Sequence, residues 1–231
     1  MPSEADRATL FDLDDTLYPE REYVRSGFRA VAVWADQNLG IPMGRGFAEL
    51  ESLFDGGERA ATFELWLSNN GFNPDAWSAS FVEVFRSHFP LLSPYPEVRR
   101  VLRSLSRTRP LGLVSDGRLE AQQRKIDALG ISSYFSCIVL TDQWGRDSWK
   151  PSPRGFEEAL ARLGIEPSQA AYVGDNPRKD FVAPKRLGMK TIRVRRQDGL
   201  YSLLEPSSAE EAPDIEISTL DGLTEALHRG T

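Results

Sequence analysis

The spacing of hydrophobic positions changes twice along the chain. A continuous apolar run at Thr9–Phe11 predicts a buried strand, because it is short and ends abruptly in polar residues. Across Tyr18–Leu92 the apolar residues recur at intervals of three and four, the period of helices that bury one face. Glycines such as Gly40 and Gly71 separate these helical stretches. We therefore predict a small all-helical domain inserted after the first strand.

Beyond this insertion, short apolar runs alternate with helical segments. The predicted strands are Leu111–Val114, Ile138–Thr141, Ala170–Val173, Thr191–Val194 and Ile215–Ile217. The predicted helices are Glu97–Ser106, Leu119–Leu129, Arg154–Leu163, Arg178–Leu187 and Leu220–Leu227. Such alternation is typical of a parallel sheet covered by helices on both faces. The predicted fold is therefore α/β, a Rossmann-like parallel sheet formed by residues 1–17 and 93–231, with the all-helical insertion at 18–92.

Composition narrows the possible functions. The 231 residues are 40% hydrophobic and 27% charged, with a formal net charge of −6 that comes from scattered acids. Because no Lys/Arg-rich run is present, we do not expect a nucleic-acid polymer as partner. The lone Cys137 excludes an intrachain disulfide and a thiolate metal site. Residues 1–8 lack the apolar core of a signal peptide and no segment is long enough to span a membrane, so the expected location is cytoplasmic.

Carboxylates cluster directly after the first predicted strand. Asp12, Asp14 and Asp15 follow the apolar run. Placing several acids at the end of a buried strand has a large desolvation cost unless a cation lies nearby. A site where the acids hold a metal ion and take part in chemistry explains this pattern.

Polar residues also follow three later strands. Ser115-Asp116-Gly117 ends one strand, Lys150 lies on the loop after the next, and Asp175 ends another. In an open α/β sheet, ligands bind outside the carboxyl ends of the strands. We therefore expect these residues to meet the first acidic cluster at one rim of the sheet.

These segments resemble the four motifs of the haloacid dehalogenase superfamily, most of whose members are phosphate-ester hydrolases. Phe11-Asp12-Leu13-Asp14-Asp15-Thr16-Leu17 resembles the first motif and Val114-Ser115-Asp116-Gly117 the second. Lys150-Pro151 is similar to the third, and Gly174-Asp175-Asn176 with Asp180 to the fourth. The motifs occur in the family's order over essentially the whole chain. The insertion at 18–92 resembles the cap domain of many members, including phosphatases of N-acylneuraminate phosphates and nucleotides.

The resemblance implies a catalytic mechanism. By resemblance Asp12 is the nucleophile that forms an aspartyl-phosphate, and Asp14 is the general acid that later activates water. Mg²⁺ is the implied cofactor, with the Asp12 carboxylate, the Asp14 backbone carbonyl and Asp175 as ligands.

The resemblance also implies how the phosphate group is bound and supported. The implied phosphate-binding groups are Ser115, the amides of Asp116 and Gly117, and Lys150, which also neutralises charge during catalysis. Asp180, Asn176 and Thr16 are expected to support the metal ligands and the turn after the first strand.

Several functional alternatives remain open. The leading hypothesis is a phosphatase acting on a small phosphorylated metabolite, either a sugar phosphate or a nucleotide. A phosphomutase, or a non-catalytic phosphate-binding module, would carry the same motifs. Dehalogenation is disfavoured by Asp14, because a departing halide needs no proton. Candidates for contacting the leaving group are Arg21, Arg25, Arg45, Arg59 and Arg118, whereas the cap aromatics Trp34, Phe63, Trp66 and Phe85 are interpreted as core.

Overall fold

The computed structural model describes residues 7–229 and contains two compact units. The first unit comprises the residues up to Glu20 and those from Ser93 onward, and the second comprises Arg21–Leu92. We expect no signal peptide in residues 1–8, and positions 1–6 of that stretch lie outside the described residues.

A parallel sheet forms the centre of the first unit. Its strands within residues 7–229 are β1 (Ala8–Phe11), β2 (Leu111–Ser115), β3 (Cys137–Leu140), β4 (Ala170–Gly174), β5 (Lys190–Val194) and β6 (Ile215–Ile217). They form one six-stranded sheet in the order β3-β2-β1-β4-β5-β6, with every neighbouring pair parallel. The predicted α/β fold is thus confirmed. Because β1 lies between β2 and β4, polar residues at the carboxyl ends of these three strands are neighbours.

Helices connect and cover the strands of this unit. They are α5 (Val98–Leu105), α6 (Leu119–Leu129), α7 (Arg154–Leu163), α8 (Pro177–Asp180), α9 (Val182–Leu187) and α10 (Leu223–His228). The hydrophobic core includes Leu10 of β1, Phe156 of α7 and Tyr172 of β4. The rings of Phe156 and Tyr172 meet edge to face with centroids 4.8 Å apart. This close packing holds the central strands in place, and with them the polar residues at their carboxyl ends.

The single helix predicted over Arg178–Leu187 is wrong. The structure divides this segment into α8 and α9, with Phe181 between them. Pro184 has no backbone N–H and cannot donate to the carbonyl of Asp180, so a continuous helix would lack a hydrogen bond there. The break leaves Asp180 at the end of a short turn beside β4.

Core burial in this unit can be tested with a matched pair of leucine variants. Leu10 is fully buried in β1, whereas Leu203 is 90% exposed. We expect Leu10→Ala to lower the free energy of unfolding by about 2–5 kcal/mol and Leu203→Ala by less than about 0.5 kcal/mol. Chemical denaturation measures both. Equal costs would contradict the assigned core.

All regular secondary structure in the second unit is helical. It contains most of α1 (Glu20–Leu39) and all of α2 (Met43–Asp55), α3 (Thr62–Asn69) and α4 (Pro74–Ser87). Its interior is rich in aromatic ring contacts, such as Trp66 with Phe81 at 5.4 Å and Phe63 with Phe85 at 5.6 Å. These contacts agree with the interpretation of the aromatics as core residues. Across residues 7–229, no helix combines the length and apolar character needed to cross a membrane.

Candidate active site

The turn after β1 is held in place by backbone and carboxylate contacts. The amide of Asp12 donates to the Val173 carbonyl at 2.8 Å, which extends the pairing of β1 with β4 by one residue. Asp15 has a φ of 51°, an uncommon left-handed conformation for a residue with a side chain. Its carboxylate accepts hydrogen bonds from the amides of Glu20 at 2.8 Å and Leu200 at 2.6 Å. The direction in which the chain leaves β1 is therefore fixed by Asp15.

A buried lysine links the residue after β1 to strand β4 and helix α8. The Lys150 ammonium donates to Asp12 Oδ1 at 2.5 Å, to Asp180 Oδ1 at 2.7 Å and to the Tyr172 hydroxyl at 2.9 Å. Its side chain is fully buried. Two carboxylates around one buried ammonium compensate its desolvation and fix its position. Lys150 and Asp12, which the sequence places on separate motifs, are thus in direct contact.

The loop that carries Lys150 is fixed by Asp116. Both carboxylate oxygens of Asp116 accept from the Lys150 amide, at 3.1 and 3.2 Å. Asp116 Oδ1 also accepts from the Thr141 hydroxyl at 2.7 Å. The side chain of Asp116 therefore connects the end of β2 to the segment after β3. The prediction for Asp116 concerned its backbone amide, and the role of that amide remains a prediction.

Three carboxylates come together beside Lys150. Oxygen atoms of Asp12, Asp175 and Asp180 lie within 4.8 Å of one another, and all three residues are buried. Burial raises the pKa of the Asp12 carboxyl to about 6, although the Lys150 ammonium opposes this shift. Burial, together with the Asp180 and Asp12 carboxylates, raises the pKa of Asp175 well above its ordinary value. The crowding of like charges would be relieved by a cation.

The donor set fits a hard divalent cation such as Mg²⁺. Asp12 Oδ2 is buried and has no hydrogen-bond partner in the structure. An unsatisfied carboxylate oxygen in a group of three acids is a suitable ligand for an oxygen-preferring ion. Asp12 and Asp175 belong to the ligand set implied by the sequence. Asp180, expected only to support that set, joins them as a possible ligand.

Backbone contacts hold the Asp175–Asp180 loop in shape. Asp180 Oδ2 accepts from the amides of Asp175 at 3.2 Å and Asn176 at 2.8 Å. Burial alone would raise the pKa of Asp180, but Lys150, Lys179 and the Asn176 amide hold it below its ordinary value. The Asn176 side chain accepts from the Arg178 amide at 3.0 Å and so caps α8. Asp180 therefore remains a carboxylate that organises its own loop.

Asp14 is held by side chains from helix α6. Lys125 Nζ donates to Asp14 Oδ1 at 2.7 Å, and Gln122 Nε2 donates to Asp14 Oδ2 at 3.0 Å. The Tyr18 hydroxyl also donates to Asp14. Gln122 Nε2 lies 2.6 Å from Ser115 Oγ as well, so one amide group connects Asp14 to Ser115. Asp14 and Ser115, predicted on different motifs, are thus brought together.

Gln122 and Lys125 were not among the predicted site residues. Both are buried on α6, on the same side as Ile126 and Leu129. A polar residue on the apolar stripe of a helix is a signal that could have identified them, because burial of such groups requires a specific partner.

Arg193 was also missed. Its buried guanidinium donates to the carbonyls of Asp175 at 3.0 Å and Tyr201 at 2.9 Å. It thereby joins the acidic loop to the segment after β5. Arg193 lies in the middle of an apolar strand pattern, and its partners are backbone groups distant in sequence, so no local pattern identifies them.

The remaining predicted residues occupy varied positions. Thr16 is buried, and its carbonyl accepts from Arg196 Nη2 at 3.1 Å. Gly117 has a φ of 119°, a conformation that favours glycine.

The arginines predicted as leaving-group contacts have other partners in the helical unit. Arg21 pairs with Asp55, Arg25 with Glu51 and Arg45 with Glu49, and Arg59 lies over the Phe54 ring. Arg118 is exposed at the start of α6. The role of these arginines toward a substrate stays a prediction.

Comparison with known proteins identifies the family. The sequence pattern of the haloacid dehalogenase-like hydrolases matches residues 9–194. This range includes β2 to β5, all of β1 but Ala8, and all the carboxylates described above. The chain belongs to this family. The predicted resemblance is confirmed.

Individual members of the family match over nearly the whole chain. A glyceraldehyde 3-phosphate phosphatase from Methanopyrus kandleri is 34% identical over 219 residues, covering 91% of this chain and 92% of that protein. A phosphoglycolate phosphatase from Aquifex aeolicus is 31% identical over 224 residues, covering 91% and 98%. The crystal structure of a haloacid dehalogenase-type phosphatase from Thermococcus onnurineus superposes with a TM-score of 0.63 at 25% identity, covering 96% and 98%.

Proposed function

We propose that this hydrolase is a Mg²⁺-dependent phosphatase that cleaves a small phosphomonoester through an aspartyl-phosphate on Asp12. The observation that carries the proposal is the environment of the Asp12 carboxylate. One oxygen accepts from the Lys150 ammonium, and the other is buried without a partner beside Asp175 and Asp180. A carboxylate fixed in this way is positioned for nucleophilic attack once a cation compensates the charge of the phosphate. The names of the two enzyme relatives support phosphoester hydrolysis.

The first half of the proposed reaction uses Asp12, Lys150 and Asp14. Asp12 attacks phosphorus, and the Lys150 ammonium balances charge on the phosphoryl oxygens. Asp14 donates a proton to the departing alcohol oxygen, so that the leaving group does not depart as an alkoxide. Ser115 and the amides of Asp116 and Gly117 are proposed to hold the phosphoryl oxygens. Mg²⁺, bound by Asp12, Asp175 and the Asp14 carbonyl with Asp180 nearby, would supply further neutralisation of the phosphoryl charge.

The second half regenerates Asp12. Asp14, now a carboxylate, removes a proton from a water molecule that attacks the aspartyl-phosphate. The phosphorus–Asp12 bond breaks, and inorganic phosphate is released. The same side chain thus alternates as acid and base, as microscopic reversibility requires.

We infer that the substrate is a small phosphorylated metabolite, with sugar phosphates favoured over nucleotides. The relatives are named for a three-carbon sugar phosphate and for phosphoglycolate, both short phosphorylated carbon chains. Residues 18–92 are proposed to be the cap that selects among such substrates. This assignment rests on their place in the chain between the first and second motifs and on their helical fold.

Removal of divalent metal is expected to lower phosphate release at least about 100-fold, because the clustered carboxylates would then repel the phosphate dianion. The measurement is phosphate release from a panel of triose phosphates, phosphoglycolate, nucleoside monophosphates and an aryl phosphate. Each assay is run with Mg²⁺, with excess chelator, and with chelator followed by excess Mg²⁺ as the reversibility control.

The panel distinguishes the alternatives. Turnover that is unchanged by chelator would refute the metal role. No release from any ester would refute the phosphatase proposal. Phosphate transfer between two positions of a sugar, with a bisphosphate requirement and little net release, would identify a phosphomutase instead.

A further inference from the structure

Helix α6 directs two buried polar side chains at the proposed acid–base residue. Gln122 and Lys125 are three positions apart, so they share one side of the helix. Both are almost completely buried, with 1% and 5% of their surfaces exposed. Burial of an amide and an ammonium has a large desolvation cost that apolar side chains at these positions would avoid. Such a pair needs an explanation other than packing.

Their contacts converge on Asp14. Lys125 Nζ bonds one carboxylate oxygen at 2.7 Å, and Gln122 Nε2 bonds the other at 3.0 Å. The Tyr18 hydroxyl also donates to the oxygen that Lys125 bonds. With both oxygens held, the plane of the carboxylate is fixed as well as its position. Without Gln122, only one oxygen would be held, and the carboxylate could rotate about it.

Gln122 also ties Asp14 to the proposed phosphate-binding segment. The same nitrogen lies 2.6 Å from Ser115 Oγ. A methyl group at Gly117 would come within 3.1 Å of the Gln122 side chain, so the glycine leaves room for Gln122 to pack closely against the turn. The segment Ser115–Gly117 and Asp14 are therefore held at a fixed separation through one side chain.

We infer that Lys125 and Gln122 are positioning residues that hold the Asp14 carboxyl group at the leaving-group oxygen of the substrate. This inference rests on the proposed phosphatase function. It assigns to α6 a role in proton transfer, distinct from the charge balance that Lys150 provides at phosphorus. Positioning of an acid–base group within a fraction of an ångström has large effects on proton-transfer rates.

The inference predicts a dependence on the leaving group. An alkyl phosphate requires protonation of its leaving oxygen by Asp14, whereas 2,4-dinitrophenyl phosphate has a leaving group stable enough to depart unprotonated. Loss of Asp14 positioning should therefore slow transfer from the alkyl ester and spare transfer from the aryl ester. A general loss of structure or phosphate affinity would slow both.

The test compares the wild type with Lys125→Met and Gln122→Met, and uses Gln123→Met as the matched control. Gln123 is exposed on the same helix and bonds Asp127. We expect kcat for glycerol phosphate to fall about 100-fold in Lys125→Met and about 10-fold in Gln122→Met. The pre-steady-state burst of dinitrophenolate should remain within about threefold of the wild-type rate in both. Gln123→Met should match the wild type on both esters.

The outcomes separate this inference from the proposed function. Equal losses on the two esters, or no loss on either, would overturn the positioning role while leaving the phosphatase intact. Failure of the wild type itself on both esters would overturn the phosphatase proposal and the positioning role with it. Thermal unfolding of each variant checks the fold, and if Lys125→Met does not fold, Gln122→Met decides the question.

Discussion

Asp12→Asn is expected to lower phosphate release by about 10⁴-fold or more. The amide nitrogen and oxygen of asparagine cannot form an acyl-phosphate in place of a carboxylate. The substitution changes shape very little, and Lys150 keeps the Asp180 carboxylate as a partner at 2.7 Å. The fold should therefore survive while the chemistry is lost. Steady-state phosphate release on the best ester of the panel measures the effect.

The matched control is Asp147→Asn, the same chemical change at an exposed aspartate on the loop before Lys150. It should retain activity within about twofold of the wild type. Trapping with hydroxylamine after mixing enzyme and substrate should yield a hydroxamate at Asp12 in the wild type and none in Asp12→Asn. Activity above about a tenth of the wild-type rate in Asp12→Asn would mean that another group attacks phosphorus.

The parts of this structure that follow from local patterns could be predicted from the sequence. The run Thr9–Phe11 predicts β1 because continuous apolar residues in a short segment fit a strand buried on both faces. The acids after it could be placed at the rim of the sheet, because strand ends in an open α/β fold collect ligand-binding groups. Resemblance to the family motifs then assigns Asp12, Lys150 and Asp175 to one site, which no rule of sequence spacing does.

The parts that depend on contacts across the fold could not be predicted in this way. The side chains that hold Asp14 come from α6, more than a hundred residues later in the chain. Their place on the apolar stripe of the helix indicates burial, but no local pattern indicates that Asp14 is their partner. Asp15 accepts from the amide of Leu200, and Arg193 donates to the carbonyl of Tyr201. Each contact joins two segments that are distant in sequence, and no local pattern in either segment indicates its partner. The break at Phe181 was missed because the apolar spacing continues through it, although Pro184 indicates it in retrospect.

Lys150→Met is expected to lower the free energy of unfolding by about 3–5 kcal/mol and to abolish phosphate release. The substitution removes the ammonium between Asp12 and Asp180 and leaves two buried carboxylates, already close to Asp175, without their shared cation. Urea denaturation in chelator measures the stability. Lys190→Met is the control, since the Lys190 ammonium donates to the carbonyls of Leu227 and Arg229 at the end of the chain and should cost less than about 1 kcal/mol.

The pH dependence of this loss identifies its cause. Burial already raises the folded-state pKa of Asp12 to about 6 with Lys150 present, and loss of the ammonium would raise it further. The pKa of Asp180, which Lys150 helps to hold below its ordinary value, would rise as well. An acid with a raised folded-state pKa does not change the free energy of unfolding below its unfolded pKa, because it is protonated in both states. It lowers the free energy of unfolding as the pH rises toward and through the folded-state pKa. The deficit of Lys150→Met relative to the wild type should therefore be larger at about pH 8 than at about pH 5. A deficit independent of pH would mean that Lys150 stabilises the fold by packing alone, and the proposed charge balance at Asp12 would then lose its basis.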